Sequence, residues 1–282
     1  MFSYRHGFHA GNHADVLKHI VLVQLLRQLA AKDKPFWFVD THAGAGAYAL
    51  DEGFAAKKGE FETGITRLWS VDKPLPAIAE YLEQVRAMNP DGKLRHYPGS
   101  PQIALQMTRE QDRLRLFELH STEGRVLQGY FAGSAGKRVA VQPTDGFANL
   151  KSVLPPPPRR ALVLIDPSYE DKEDYKRVTQ TMRDALERFA TGTYAIWYPQ
   201  VSRRESHDLP DKLQRMAPGD WLHVWLKVST PPADGFGLYG SGMFIFNPPW
   251  KLETALRPAL PLLVKLLGQD SQATADIRFR QT

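Results

Sequence analysis

The sequence of 282 residues contains no cysteine. This absence excludes disulfide bonds, cysteine-ligated zinc, iron–sulfur clusters and every mechanism that needs a thiolate nucleophile. The chain also lacks an apolar run of roughly 18 residues, the length of a membrane span, and Met1 is followed by polar, aromatic and histidine-rich sequence instead of a signal peptide. We therefore expect a cytoplasmic protein with no membrane partner.

The composition is otherwise that of an ordinary globular protein. Hydrophobic residues make up 43% of the chain, enough for a large core, and the length predicts two domains or one large α/β domain with an insertion. Lys and Arg (36) exceed Asp and Glu (31), so the net charge is +5. A surplus of this size favours a polyanionic partner but does not identify one.

Periodicity predicts helices that alternate with short strands. Residues 14–30 carry leucine and valine at helical spacing, with Asn12 or Asp15 available as the N-cap. Alternation of helices and strands indicates a mainly parallel sheet with helices on both faces. Short apolar runs predict strands at 36–40, 114–119, 138–141, 161–165 and 194–198.

The end of the chain follows a different pattern. The apolar runs 221–228 and 242–246 are joined by a Pro- and Gly-rich segment too short for a crossover helix, which predicts an antiparallel hairpin. A helix over 252–267 is expected to close the fold. Only the last dozen residues are compatible with a disordered tail.

Two strand ends carry residues suited to a nucleotide-like ligand. Asp40 is followed by a turn containing Gly44 and Gly46, which lets the backbone approach a ligand closely, although such a turn is common without one. Glu118 ends the next long strand, where a carboxylate can bind both hydroxyls of a ribose. The alternative interpretation is that Glu118 is a surface carboxylate.

The position of Glu118 requires an insertion, because a simple nucleotide fold places this acid about 20 residues after the glycines. The amphipathic, mostly helical segment 48–95 provides it. We therefore predict a small helical subdomain at 48–95, inserted into a sheet domain formed by 1–47 and 96–282.

The run from Leu162 to Tyr169 places an acid, a proline and an aromatic residue at a strand end. The exocyclic amine of a nucleobase is a poor nucleophile, since its lone pair is delocalised into the ring, and a catalyst must accept its N–H bonds. The Asp166 carboxylate and the Pro167 carbonyl can do so, and Tyr169 can stack on the base with roughly 1–3 kcal/mol of stabilisation. A simple Asp-Pro turn would have the same sequence.

Three further features are weaker. Thr144-Asp145-Gly146 forms a turn that can present a carboxylate or an N–H group to a purine. Asn247-Pro248-Pro249-Trp250 fits an [Asp/Asn]-Pro-Pro-aromatic pattern better than residues 166–169 do, and only its place after the last predicted strand favours Asp166. Five histidines crowd the first 42 residues without an accompanying carboxylate motif, so we expect no metal.

These motifs together resemble those of class I AdoMet-dependent N6-adenine methyltransferases. The opening residues are similar to the N-terminal motif of the 23S rRNA (adenine-2030-N6)-methyltransferase family, and the likeness continues through Gly240-Ser241-Gly242 and Asn247 to Trp250. In one departure, Ser168 replaces the second proline of the usual Asp-Pro-Pro-Tyr motif. The opening motif reads Tyr4-Arg5-His6-x-Phe8-His9-Ala10-Gly11-Asn12-His13-Ala14-Asp15-Val16-Leu17-Lys18-His19.

The resemblance implies a Rossmann-like α/β methyltransferase sheet and S-adenosyl-L-methionine as cofactor. The implied substrate is 23S rRNA, methylated at N6 of an adenine, with no obligate protein partner. Asp166 would be the catalytic residue. Tyr4 would contact the RNA, as would Tyr169, and His6 and Lys18 are weaker candidates for RNA contact. The implied cofactor-binding residues are His19, His42, Ser100, Glu118, Asp145, Gly146 and Asp166.

Three alternatives remain open at this stage. Methylation of a DNA adenine or of a protein amide would use the same motif. A nicotinamide oxidoreductase would share the glycine turn, and a non-catalytic RNA-binding module would share the positive charge. The absence of cysteine agrees with an amine nucleophile, because methylation of pyrimidine carbon 5 and radical methylation both depend on cysteine.

Overall fold

The computed structural model describes residues 6–51, 59–133 and 138–281. Tyr4 lies outside the described residues, and so does Lys57-Lys58, a basic pair whose charge makes it a candidate phosphate contact. The strands within these ranges are β1 (Trp37–Asp40), β2 (Ala47–Ala49), β3 (His96–Pro98), β4 (Arg113–Phe117), β5 (Val139–Gln142), β6 (Ala161–Ile165), β7 (Thr193–Gln200), β8 (Trp221–Lys227), β9 (Gly240–Phe246) and β10 (Thr274–Arg280).

The α-helices of the same ranges are α1 (His13–Ala30), α2 (Ile65–Trp69), α3 (Pro76–Ala87), α4 (Ser100–Met107), α5 (Ser121–Phe131), α6 (Gly146–Asn149), α7 (Glu173–Arg188), α8 (Arg204–Met216), α9 (Leu252–Leu256) and α10 (Leu260–Leu267). Among the residues that the structure describes, no helix is both long enough and apolar enough to cross a membrane.

Eight of these strands form one sheet in the order β10-β8-β9-β7-β6-β1-β4-β5. Strands β5, β4, β1, β6 and β7 are parallel to one another, whereas β9 runs antiparallel to both β7 and β8. The predicted α/β class, with a mainly parallel Rossmann-like sheet and an antiparallel hairpin late in the chain, is confirmed. The carboxyl ends of β1, β4, β5 and β6 therefore lie along one edge.

The sheet is covered on both faces. Successive residues of a strand point to opposite faces, and β6 shows the consequence: Leu162 and Leu164 belong to the hydrophobic cluster that contains Leu17 of α1, whereas Val163 belongs to the cluster that contains Val178 of α7. All five β6 side chains are buried. This two-sided burial explains why its sequence is a continuous apolar run.

Helix α1 begins where the sequence predicts it. The Asn12 side chain accepts hydrogen bonds from the N–H groups of Ala14 (2.9 Å) and Asp15 (3.0 Å), which caps the helix. The Asp15 carboxylate accepts a further bond from the Gly11 N–H. The cap fixes the chain entering α1, and Lys18 and His19 follow within the next two turns.

The segment 48–95 is flanked by a strand pair that the sequence analysis missed. Strands β2 and β3 pair antiparallel at its two ends. Helix α3 packs Ile78, Tyr81 and Leu82 into the same hydrophobic cluster as α1. The division into an inserted subdomain of 48–95 and a sheet domain of 1–47 and 96–282 stays a prediction.

Two expectations for the end of the chain are wrong. The last dozen residues do not form a disordered tail, because β10 pairs with β8 along its full length. The expected helix 252–267 is interrupted by a 3-10 turn over Arg257–Ala259. Pro258 has no backbone N–H and cannot take part in a continuous α-helical hydrogen-bond pattern.

Candidate active site

A cleft that is open to solvent lies at the carboxyl edge of the sheet. We call it the first cleft. All seven residues predicted to bind the cofactor line it: His19, His42, Ser100, Glu118, Asp145, Gly146 and Asp166.

Glu118 is held at this cleft by the glycine turn. Its two carboxylate oxygens accept hydrogen bonds from the N–H groups of Gly44 and His120, both at 2.7 Å. Burial raises the pKa of Glu118 above its usual value. Gly44 has φ of +62°, and a Cβ there would lie 2.3 Å from the Tyr48 hydroxyl, so this position needs glycine. The glycine turn therefore fixes the position of the Glu118 carboxylate.

A buried carboxylate lies under the first cleft. Asp40 ends β1 and accepts hydrogen bonds from the Ser100 hydroxyl (2.6 Å) and the His42 N–H (3.1 Å). Burial raises its pKa to about 7. Burial also lowers the pKa of His42 to about 3, so the imidazole is neutral at neutral pH. Ser100 is thus oriented by Asp40.

Asp145 lies at another side of the first cleft. Its carboxylate caps α6 by accepting from the Phe147 N–H (2.9 Å), and it forms an ion pair with Arg177. Arg177 also lies over the Phe147 ring, 4.4 Å from its centroid. A Cβ at Gly146 would come 2.1 Å from the Thr41 carbonyl oxygen, so this turn packs directly against the end of β1. Arg177 and Tyr48 line the cleft but were not predicted.

Lys18 connects α1 with the end of β6. Its ammonium lies 2.6 Å from the Asp166 carboxylate and 2.8 Å from that of Asp15, and its side chain is 5% exposed. Although burial alone lowers the pKa of Lys18, the carboxylates of Asp15 and Asp166 raise it above its ordinary value. The ammonium stays charged and fixes one oxygen of Asp166, so the other oxygen is the one placed to accept from a ligand.

A second cleft, also open to solvent, meets the first at this ion pair. Lys18, Asp166 and Ser168 line both clefts. The rim of the second cleft includes Arg203 and Phe236, whose side chain is 81% exposed. The structure therefore has a pocket on either side of Asp166.

Comparisons with known proteins agree with this arrangement. Residues 33–280 match the family model described as "Ribosomal RNA large subunit methyltransferase D, RlmJ". The chain belongs to the RlmJ family. Two relatives named "Ribosomal RNA large subunit methyltransferase J" are 46% identical in Haemophilus influenzae (95% of this chain, 94% of the relative) and 47% identical in Escherichia coli strain K12 (93% of each). The crystal structure of protein LPL1258 from Legionella pneumophila, 35% identical, covers 97% of this chain and 98% of its own with a TM-score of 0.86.

The motif after β6 adopts an unexpected conformation in this member of the RlmJ family. The Tyr169 side chain is 3% exposed, packs 4.6 Å from the Tyr175 ring and donates its hydroxyl to the Trp197 carbonyl at 2.7 Å. The sequence predicted an open ring face for stacking. Stacking of a base on Tyr169 requires this ring to become exposed, and the RNA-contact roles of Tyr169 and Tyr4 stay predictions.

The Asn247-Pro248-Pro249-Trp250 segment is remote from this site. Because β9 is antiparallel, Asn247 lies at the opposite edge of the sheet, where its amide donates to the Ala190 and Gly192 carbonyls at 2.7 Å each. The structure therefore agrees with the choice of Asp166 over this segment on grounds of position.

The clustered histidines have separate environments in the described part of this RlmJ-family chain. His9 contacts Glu60, His19 contacts the Tyr97 hydroxyl, and His42 contacts Thr41. Within those described residues, no group of three or more histidine or carboxylate side chains is arranged to hold a metal.

Consecutive arginines can bind phosphate groups, and of the two Arg-Arg pairs, Arg159-Arg160 and Arg203-Arg204, one reaches the site. Arg160 of the pair Arg159-Arg160 donates to the Leu29 carbonyl, away from both clefts. Arg203 of the pair Arg203-Arg204 lines the second cleft. Lys18, a weaker candidate for RNA contact, is a buried ion-pair partner of Asp166 and lines both clefts, and its RNA contact stays a prediction.

Proposed function

We propose that this protein transfers a methyl group from S-adenosyl-L-methionine to the exocyclic N6 of an adenine in 23S rRNA. The observation that carries the proposal is the meeting of two clefts at Asp166, one suited to a nucleoside-like cofactor and one open to a larger substrate. Relatives named as large-subunit ribosomal RNA methyltransferases support the RNA substrate.

The first cleft fits the cofactor by the chemistry of its donors and acceptors. Glu118 would accept hydrogen bonds from both ribose hydroxyls, because its oxygens are already oriented by two N–H groups and each keeps a second lone pair. Asp145 and Gly146 would contact the adenine ring. His19, His42 and Ser100 would line the methionine end.

When bound, the cofactor supplies a methyl group attached to a positively charged sulfur, which an amine nitrogen can displace. Asp166 and Pro167 would hold the target amine by accepting its two N–H bonds, through the carboxylate and the backbone carbonyl. Lys18 orients the Asp166 carboxylate through their ion pair. The proton lost from the amine can pass to Asp166 or to water after transfer, so a strong base is not needed.

The second cleft would take the adenine extruded from the RNA. An enzyme that modifies a base edge has to remove the base from its stack, and aromatic and basic side chains around the pocket stabilise the extruded state. Tyr169 lines this cleft, and Phe236 and Arg203 lie at its rim. The proposed RNA contact of Tyr169 belongs to this side, and the RNA contact of Tyr4 stays a prediction.

The direct test is Asp166→Asn, assayed by transfer of a radiolabelled methyl group to 23S rRNA. We expect the rate to fall by at least about a hundredfold, because the variant loses the charged acceptor at the reacting nitrogen. Cofactor binding, measured by calorimetry, separates loss of the amine contact from loss of the cofactor. Asp184→Asn is the matched control, since Asp184 is exposed on α7 and bonds only within its own helix. Full methylation by Asp166→Asn would refute the assignment.

The substrate needs a separate test. We expect mass mapping of 23S rRNA from cells lacking the gene to show one adenine without its methyl group, restored by the wild-type gene and not by Asp166→Asn. An unchanged map would refute the RNA substrate. Methyl incorporation into DNA or protein by the purified enzyme would then favour the alternative substrates.

A further inference from the structure

The loop after β6 lacks one of the restraints that its motif usually has. Proline fixes its own φ near −65° and restricts the residue before it, so a second proline at 168 would stiffen Pro167 as well. Ser168 provides neither restraint. Its hydroxyl accepts one long hydrogen bond, 3.4 Å from the Glu170 N–H.

The same loop contains a strained residue. Tyr169 has φ of +54°, in the left-handed region that a residue with a side chain rarely occupies. Such a conformation persists only where the surroundings hold it in place. The Tyr169 ring packs against the Tyr175 ring, and its hydroxyl donates a hydrogen bond to the Trp197 carbonyl. Neither contact involves the backbone carbonyl of Tyr169, which has a different partner.

Arg203 is that partner. Its Nη1 donates to the carbonyl oxygens of Tyr169 (3.1 Å) and Glu170 (3.2 Å). Arg203 is itself anchored at the start of α8, since its N–H donates to the Val201 carbonyl (2.7 Å) and its own carbonyl accepts from the Ser206 N–H (3.1 Å). A charged donor on a fixed helix end thus connects two consecutive carbonyls of the loop.

We propose that Arg203 is a positioning residue that substitutes for the missing second proline by clamping the Asp166–Glu170 loop from α8. The inference rests on the proposed function, because the loop matters to the reaction only if Asp166 and Pro167 hold the target amine. The clamp acts on backbone two residues beyond Pro167. Its loss would let the Pro167 carbonyl move out of line with the amine.

The experiment compares Arg203→Ala with Arg204→Ala in the full-length protein. Arg204 carries the same charge one position later, is 91% exposed and pairs within α8 with Asp208, so its removal reproduces the loss of charge without the clamp. We expect Arg203→Ala to lower kcat for 23S rRNA methylation about tenfold, since small misplacements of positioned groups cost that much or more. The KM for RNA should change no more than in Arg204→Ala.

Two further readouts distinguish positioning from a simple RNA contact. In Arg203→Ala, amide hydrogen exchange of a peptide covering residues 167–172 should accelerate without any RNA or cofactor present. Adding Ser168→Pro to Arg203→Ala should restore most of the lost kcat, because the proline returns the absent restraint. The single variant Ser168→Pro is the control that shows whether the loop tolerates proline. Arg203→Lys keeps a cationic donor, so it should retain more activity than Arg203→Ala.

The outcomes separate the two proposals. Unchanged exchange in Arg203→Ala, or an effect on KM alone that Arg204→Ala reproduces, would overturn the clamp while leaving the methyltransferase assignment intact. Wild-type protein that methylates no 23S rRNA would overturn the proposed function, and the exchange measurement would still decide whether Arg203 restrains the loop. If Ser168→Pro alone is fully active but the double variant is as slow as Arg203→Ala, then Arg203 does not replace the restraint of the missing proline.

Discussion

Asp40 offers the sharpest quantitative prediction, because it is a fully buried carboxylate whose two hydrogen-bond donors, the Ser100 hydroxyl and the His42 N–H, are uncharged. Burial is the main cause that raises its pKa from 3.8 to about 7, and the nearby Asp166 charge adds to the effect. Asp40→Asn replaces the carboxyl with a neutral group of the same shape. Asparagine can keep both contacts, with its carbonyl accepting from His42 and its amide facing Ser100.

Proton linkage gives the direction in which the stability of the fold changes with pH. An acid with a raised pKa holds its proton more tightly in the folded state than in the unfolded chain, so its contribution to stability falls as the pH rises through the window between about 4 and about 7. One pKa unit corresponds to about 1.4 kcal/mol. From pH 5 to pH 8 the wild type should therefore lose about 3 kcal/mol relative to Asp40→Asn, which is on the order of 5–10 °C in Tm for a chain of this size.

The assay is thermal or urea unfolding of cofactor-free protein at pH 5, 6, 7 and 8, comparing the wild type, Asp40→Asn and the exposed control Asp184→Asn. We expect the gap between Asp40→Asn and the wild type to widen steadily up to about pH 7 and then to level off. The control should show no such trend. A gap that stays constant from pH 5 to pH 8 would refute the reasoning, since an uncharged Asp40 has no ionisation penalty to relieve.

Two other substitutions test the electrostatics and shape of the first cleft. Lys18→Met leaves the buried carboxylates of Asp15 and Asp166 without their cation and should lower the free energy of unfolding by about 3–5 kcal/mol in urea titrations at pH 7, with less loss at pH 4. Gly44→Ala should weaken cofactor binding in calorimetry at least about tenfold, because its Cβ would lie 2.3 Å from a tyrosine hydroxyl. Gly92→Ala has a similar left-handed backbone with nothing within 4 Å, so equal loss of binding in both would contradict this explanation.

The strand ends that form the site were predictable because local signals mark them. The apolar run of β6 stops at Ile165, and Asp166 follows it, so sequence alone indicates an acid at the carboxyl edge of a parallel sheet. Glu118 and Asp145 are predictable for the same reason. The sheet then brings these three acids to one cleft, although they are far apart in the chain.

Other features have no local signal. The contact between Lys18 and Asp166 joins residues 148 positions apart, and the helical pattern around Lys18 is compatible with an exposed lysine. Strand β10 alternates only weakly, with Ile277 as its one buried residue, because it lies at the edge of the sheet. The burial of Tyr169 depends on Tyr175 and Trp197, which contact it only in the folded structure.

The charge at the junction of the two clefts links stability to the proposed reaction. Asp15, Asp40 and Asp166 are three buried or nearly buried carboxylates around one cation, Lys18. Asp15 and Asp166 already outnumber that cation, so the junction is negative, and ionisation of Asp40 adds a further negative charge. Unbalanced buried charge is destabilising, and an apolar site would make a more stable fold. A ligand with a positive charge at this point would reverse the effect, because it would be stabilised by the same carboxylates. The sulfonium of the proposed cofactor has that charge, and S-adenosylhomocysteine, the neutral thioether left after the methyl group is transferred, lacks it. The wild type should therefore bind S-adenosyl-L-methionine more tightly relative to S-adenosylhomocysteine than Asp40→Asn does at pH 8.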